Sequence, residues 1–172
     1  MGNELIVIGA SGFAKEVAWL AEECGYELKG FLDDSPKHFN TQVLNRPVLG
    51  SVNDWINFDH CEFIVGVGAP ETRGAIVEKM TASGKPKFAT LIHPSVVKSK
   101  YVDIGEGSII CAGAIITTDV RIGDHVVINL NCTVGHDVVL HNFVTIAPMV
   151  AISGNVTLKD LVEIGTSASI RQ

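Results

Sequence analysis

Hydrophobic residues along this chain obey two different rules, and the rule changes near residue 100. From there an aliphatic side chain returns at every sixth position: Ile104, Ile110, Ile116, Ile122, Ile128, Val134, Leu140, Ile146, Ile152, Leu158, Ile164 and Ile170. Four residues after each of the first eleven stands a small or β-branched residue, the series running from Ser108, Ala114 and Val120 through Cys132 and Val138 to Val162 and Ala168. An α-helix repeats at about 3.6 residues, so it does not sustain a period of six. The pattern predicts a parallel β-helix: each hexapeptide forms one face of a triangular coil, and three of them close a turn. The first residue of each rung fills the interior and the fifth packs in the corner. Gly105, Gly123 and Gly165, just after the aliphatic position, are the usual companions.

The earlier half alternates strand and helix patterns. "ELIVIGA" reads as a buried strand, and the following "SGFAKEVAWLAEECG" places Phe13, Val17, Leu20, Ala21 and Cys24 on one helical face that ends at Gly25. "YELKGFLDD" and "CEFIVGVG" read as further strands, "GSVNDWINF" as a short helix, and "KFATLIHP" as a closing fourth strand. Pro70 opens a helix over "PETRGAIVEKMTASG", where a first-turn proline is tolerated. Strands alternating with helices imply a small parallel sheet with right-handed crossovers. The predicted organisation is an α/β domain of Rossmann-like type over 1–92 and a β-helix over 93–172.

Composition narrows the function classes. With 47% hydrophobic and 19% charged residues the chain is an ordinary globular one. A net charge of −6 argues against a nucleic-acid scaffold, so any phosphate must be held by local geometry. No apolar run approaches the roughly 18–20 residues of a membrane helix, and the start lacks the basic region of a signal peptide. Four cysteines (Cys24, Cys61, Cys111 and Cys132) show neither a CxxC pair nor zinc-finger spacing and read as free thiols, in keeping with a cytoplasmic location.

Two stretches carry candidate chemistry. "GASG", with Gly9, Ser11 and Gly12 between a strand and a helix, is suited to bring backbone amides and a helix N-terminus to a phosphate or sugar; it is equally a tight strand-to-helix turn. Asp33 and Asp34 follow the next strand, where a carboxylate can accept from ribose or base; they also fit a turn before Pro36. Arg73 reads either as a phosphate partner or as a helix-surface charge. In the repeat, "INLNCTVGHD" interrupts the aliphatic pattern with Asn129, Asn131 and the step Gly135-His136-Asp137. His136 falls at the third position of its rung, near a corner and pointing outward, and Asp137 can orient its imidazole. One coil later stands Gly154, which leaves the space stacked on the histidine open. His93, His125 and His141 read as turn or rung-edge residues.

Together "IGASGFAKEV", "FLDD", "VGVG…R" (Gly66, Gly68 and Arg73) and a hexapeptide repeat containing "GHD" resemble the sialic-acid O-acetyltransferase and bacillosamine N-acetyltransferase family of bacterial sugar-modifying enzymes. The likeness runs over essentially the whole chain. It implies a left-handed β-helix, a homotrimer, and acetyl-CoA-dependent acetylation of a sugar for surface polysaccharide or glycoprotein synthesis. A nucleotide-linked amino-dideoxy sugar is the first expectation for the acceptor. A sialic-acid-type hydroxyl comes second, and a nucleotide-sugar-binding protein or a nucleotide-dependent oxidoreductase are rivals of other classes. The resemblance also implies His136 as the catalytic base and Asn129 as a substrate contact across a subunit boundary. Gly154 is the candidate for the acetyl-CoA site, its N–H a candidate donor to the oxyanion that the chemistry requires. The chain departs from the family in having Phe13 where some members carry a histidine after "GASG". Members also continue through further coils that hold much of the CoA, whereas this chain stops at "IGTSASIRQ", which reads as a short or partial form. An acetyl thioester is already activated, so the chemistry calls for a base and an oxyanion donor but no metal.

Overall fold

In a computed structural model, which describes residues 3–172, the chain divides into two compact units, Met1–Gly68 with Thr72–Ala89 and Ala69–Glu71 with Thr90–Gln172.

In the first unit five strands form one sheet in the order β3-β4-β2-β1-β5. These are β1 (Glu4–Ile8), β2 (Glu27–Leu32), β3 (Gln42–Val43), β4 (Arg46–Gly50) and β5 (Glu62–Val65). The pairings of β1 with β2 and β5, and of β2 with β4, are parallel, as expected. Strand β3 runs antiparallel to β4 and makes the sheet mixed. Between them Leu44 and Asn45 both take positive φ, at 49° and 59°. Two left-handed residues in a row give the twist a two-residue hairpin needs. "Leu-Asn" lacks the Asn-Gly signature of such turns, so the hairpin left no mark in the sequence.

Helix α1 (Gly12–Glu23) buries Ala14, Val17, Ala18, Leu20 and Ala21, and Gly25 follows its end at φ +83°. Its packing onto the sheet depends on Gly66: a Cβ there would stand 2.8 Å from Val7 Cγ1 and 2.9 Å from Ala14 Cα. Helix α2 spans Pro70–Ser83, and Val52–Phe58 is a 3-10 helix closed by a reciprocal capping box between Ser51 and Asp54.

The expected fourth strand is divided. Phe88 makes only an isolated parallel bridge to Phe63, while Leu91–Ile92 pairs with Ile109–Ile110 as the first rung of the second unit. The β-helix therefore begins two rungs earlier than the aliphatic repeat. An exposed Lys98 occupies the intervening core register and hides the start.

Three stacks of short parallel strands form the faces of the second unit. Register is uniform: Ile116 sits over Val134 and Val134 over Ile152 on one face, Ile122 over Leu140 and Leu158 on the next, Ile110, Ile128 and Ile146 on the third. Both predicted series, first and fifth positions, enter one buried cluster with Val126, Cys132, Val138 and Val144 fully enclosed. A second regularity was not foreseen. The fourth residue of every rung from Gly107 to Ser167 has a positive φ, and Gly, Asp, His or Asn fill this site in seven of the eleven rungs. These types enter the left-handed region most easily. Phe143, Met149 and Leu161 do so without that help.

Candidate active site

Asp137 occupies one of these left-handed corner positions, with φ +56°. The turn carries its carboxylate back along the chain, so that Asp137 Oδ2 lies 2.8 Å from His136 Nδ1. A carboxylate can only accept, so Nδ1 is the donor, and in the neutral ring this tautomer leaves the lone pair on Nε2. Both side chains are more than half exposed, at 59% and 57%. The imidazole is not held over empty space. A Cβ built on Gly154 would stand 2.5 Å from both Cε1 and Nε2 of His136, so the ring lies in the place a side chain at 154 would take. The expected opening at Gly154 is thus the seat of the ring. Backbone bonds fix the same corner, with Asn155 N donating to His136 O at 2.9 Å and Asp137 N to Thr118 O at 3.2 Å.

Beside this pair a cavity of about 530 Å³ opens against the β-helix, lined chiefly by Lys100, Tyr101, Asp103, Asp119, Arg121 and Asp137. Asp137 belongs both to this cavity and to the histidine. Asn129 is half-buried, and its Oδ1 accepts from the next backbone amide, Leu130 N, at 2.7 Å. Cys132 donates to Ala147 O at 3.1 Å, and burial holds its thiol above the ordinary range. His125 departs from its rung-edge reading: it is 3% exposed and stacks on Phe143 with ring centroids 5.2 Å apart. Gly107 supplies the room, since a Cβ there would overlap the His125 ring. His93 keeps its turn role, bonding through Nδ1 to Ser95.

In the first unit the glycine loop is organised by Asp33. Its Oδ2 accepts from Ala10 N at 2.7 Å and its Oδ1 from Ser35 N at 2.7 Å. His38 Nδ1 lies 3.1 Å from Oδ2 but off the line of a hydrogen bond. Asp33 therefore ties the loop to the turn before Pro36, and both oxygens already hold backbone donors. Gly9 turns the loop at φ +101°, and Ser11 caps α1 with its backbone while its hydroxyl makes no cap bond. Ser11 and Gly12 stand exposed at the helix N-terminus, where partial positive charge collects. Asp34 pairs with Lys79 at 2.7 Å and accepts from Val52 N. Partial burial pushes its pKa up, but the Lys79 ammonium and the Val52 amide outweigh this and hold it below the usual carboxylate range. Arg73 fits neither of its sequence readings. It is 0% exposed, and its Nη1 donates to Val67 O and Gly68 O, each at 2.8 Å. The guanidinium thus braces the loop after β5, against which Gly9 is packed.

Comparison with known proteins gives this arrangement its context. The PglD N-terminal domain family matches residues 4–80. UDP-N-acetylbacillosamine N-acetyltransferase of Bacillus subtilis (strain 168) is 44% identical over 50 residues, a stretch covering 29% of this chain and 23% of that enzyme. The acetyltransferase domain of PglB from Neisseria gonorrhoeae FA1090, solved with acetyl coenzyme A, is 36% identical, matching 100% of this chain and 83% of that one with a TM-score of 0.89. The chain belongs to the sialic-acid O-acetyltransferase and bacillosamine N-acetyltransferase family of hexapeptide-repeat sugar acyltransferases. A variant of perosamine N-acetyltransferase from Caulobacter crescentus, solved with CoA and GDP-perosamine, is 27% identical, with 98% and 82% of the two chains covered and a TM-score of 0.82. Both units of the chain, the α/β domain and the left-handed β-helix, are thus those of the acetyltransferase family. Among the described residues no helix is long and apolar enough to cross a membrane.

Proposed function

We propose that this protein transfers the acetyl group of acetyl-CoA to the amino group of a nucleotide-linked amino-dideoxy sugar. The observation that carries the reading is the His136–Asp137 pair at 2.8 Å, seated on Gly154 and bordering the cavity. Relatives support the partners: one is solved with acetyl coenzyme A, another with CoA and GDP-perosamine.

The reaction needs little from the protein beyond position and a base. The neutral amine attacks the thioester carbonyl carbon while His136 Nε2 removes its proton. The negative charge moves to the carbonyl oxygen, where the backbone N–H of Gly154 is the proposed donor. The intermediate then expels the CoA sulfur, which takes the proton from the imidazolium. Asp137 keeps Nδ1 protonated and stabilises the transient cation, so Nε2 is the basic atom throughout. No covalent enzyme intermediate and no metal enter the step.

For the sugar nucleotide, the exposed N-terminus of α1 with Ser11 and Gly12 is the proposed phosphate seat, its loop held by Asp33 and braced by Arg73. A homotrimer, with Asn129 near a subunit boundary, is part of the same reading. The flat face bearing Val97 and Ile115, which are 63% and 44% exposed, suits symmetric packing. Light scattering that returns a monomer at micromolar concentration contradicts the trimer.

CoA release measured with a panel of amino-sugar nucleotides beside free sialic acid tests the function. Turnover restricted to amino-sugar nucleotides supports N-acetylation. Turnover on sialic acid makes the enzyme an O-acetyltransferase. Ligand-stabilised melting without CoA release leaves a binding protein.

A further inference from the structure

Away from this chemistry, at the edge where β1 and β5 begin, three different metal-ligating side chains converge. Glu4 opens β1, and His60 and Cys61 precede β5. One oxygen, Glu4 Oε2, is the common neighbour: His60 Nε2 lies 3.4 Å from it and Cys61 Sγ 3.8 Å. The donor atoms of all three residues fall within 4.8 Å of one another. A zinc ion binds sulfur at about 2.3 Å and nitrogen or oxygen at about 2.0–2.1 Å; around a tetrahedral centre this spaces O···N by roughly 3.3–3.4 Å and O···S by roughly 3.6 Å. The observed separations are within a few tenths of an ångström of both values.

The surroundings suit ligation as well. The second oxygen, Glu4 Oε1, accepts from Lys29 Nζ at 2.9 Å, which leaves Oε2 as a single-point ligand held in orientation. His60 Nδ1 lies 3.9 Å from Asp59 Oδ1, so a carboxylate stands behind the ring when Nε2 faces the cluster. Ligating histidines and carboxylates are commonly held by such outer partners. His60 and Glu4 are reached from solvent, while Cys61 is 1% exposed and forms the floor.

We propose that Glu4, His60 and Cys61 form a binding site for a borderline-soft divalent cation, zinc above all, with water as the fourth ligand. A site of mixed thiolate, imidazole and carboxylate donors favours zinc over magnesium or calcium, which take oxygen alone. Binding replaces the thiol proton: the S–H bond breaks, the proton leaves to solvent, and the sulfur lone pair makes the bond to the cation. The ion clips the starts of β1 and β5 together and takes no part in acetyl transfer.

Cobalt(II) titration of the full chain, with zinc as competitor, tests the site. The expected result is a thiolate-to-cobalt charge-transfer band in the near ultraviolet, the intense visible bands of a tetrahedral ion, one proton released per metal, and bleaching by zinc. Cys61→Ala abolishes the charge-transfer band, and Cys24→Ala leaves it. His60→Ala, an exposed position that spares the fold, lowers cobalt affinity at least tenfold and removes the rise in melting temperature that zinc brings. Absence of the band, its persistence in Cys61→Ala, or unchanged affinity in His60→Ala each overturns the proposal.

Discussion

Replacing Gly154 with alanine asks whether the seat of the imidazole matters. The new Cβ would meet His136 Cε1 and Nε2 at 2.5 Å, whereas ordinary contact starts at 3.4 Å, so the ring must move by about 1 Å. Moving it is easy in energy, because His136 is 59% exposed and can swing outward. Gly154 does not have a positive φ and faces away from the aliphatic stack, so the fold has no reason to suffer; its melting curve should stay within about 0.5 kcal/mol of the parent. A displacement of about 1 Å in a catalytic group lowers turnover by roughly 10²-fold when geometry carries the rate. The assay is CoA release at saturating acetyl-CoA and acceptor, with circular dichroism as the control for folding. A double variant sharpens it. If alanine at 154 acts only through the ring, His136→Ala with Gly154→Ala turns over no more slowly than His136→Ala alone. Full kcat in the single variant, or additive losses in the double, refutes the reasoning.

Other expectations rest on different parts of the molecule. Asp137→Asn keeps a residue that tolerates the left-handed corner, so the variant folds; kcat falls by less than in His136→Ala, because the imidazole survives with a weaker partner. Arg73→Met removes two charge-assisted bonds from a fully buried guanidinium and should cost at least about 2 kcal/mol in urea denaturation, with an unchanged m-value. Asp34→Asn removes a carboxylate whose folded pKa is lowered. Its stabilisation is present above the unfolded-state pKa and fades as pH falls through the folded one; with half the side chain exposed it amounts to under about 1 kcal/mol. Melting curves of parent and variant should therefore differ at neutral pH and converge in acid.

Much of the fold was legible because the β-helix uses each rung in the same way. Interior positions such as Ile128 and Val134 repeat because neighbouring coils stack in register, so a pattern six residues long reports a contact one whole coil away. What escaped was set by conformation rather than hydrophobicity. The left-handed fourth position favours Gly, Asn, Asp and His but also accepts Phe143 and Met149, so no single residue type marks it. It is nonetheless what folds Asp137 back on His136. Gly66 was quoted only within the strand pattern "CEFIVGVG" and the motif "VGVG…R", yet it provides the close helix-to-sheet approach of α1. Arg73 misled because a charged residue in a helix pattern is expected outside, and only the carbonyls of Val67 and Gly68 explain its burial. Asp33, read as an acceptor for ribose or base or as a turn residue before Pro36, accepts from Ala10 N and Ser35 N, a link to the glycine loop that spacing alone does not reveal.

The central claim is that His136 Nε2 takes the proton as the acetyl group is transferred. Its most direct test is the pH dependence of kcat for the parent and for His136→Ala, with CoA release as the readout and circular dichroism confirming the fold. The account predicts that the variant folds, turns over roughly 10²–10⁴-fold more slowly, and loses the limb along which the parent's rate rises with pH. A folded variant that keeps both its rate and that limb contradicts it.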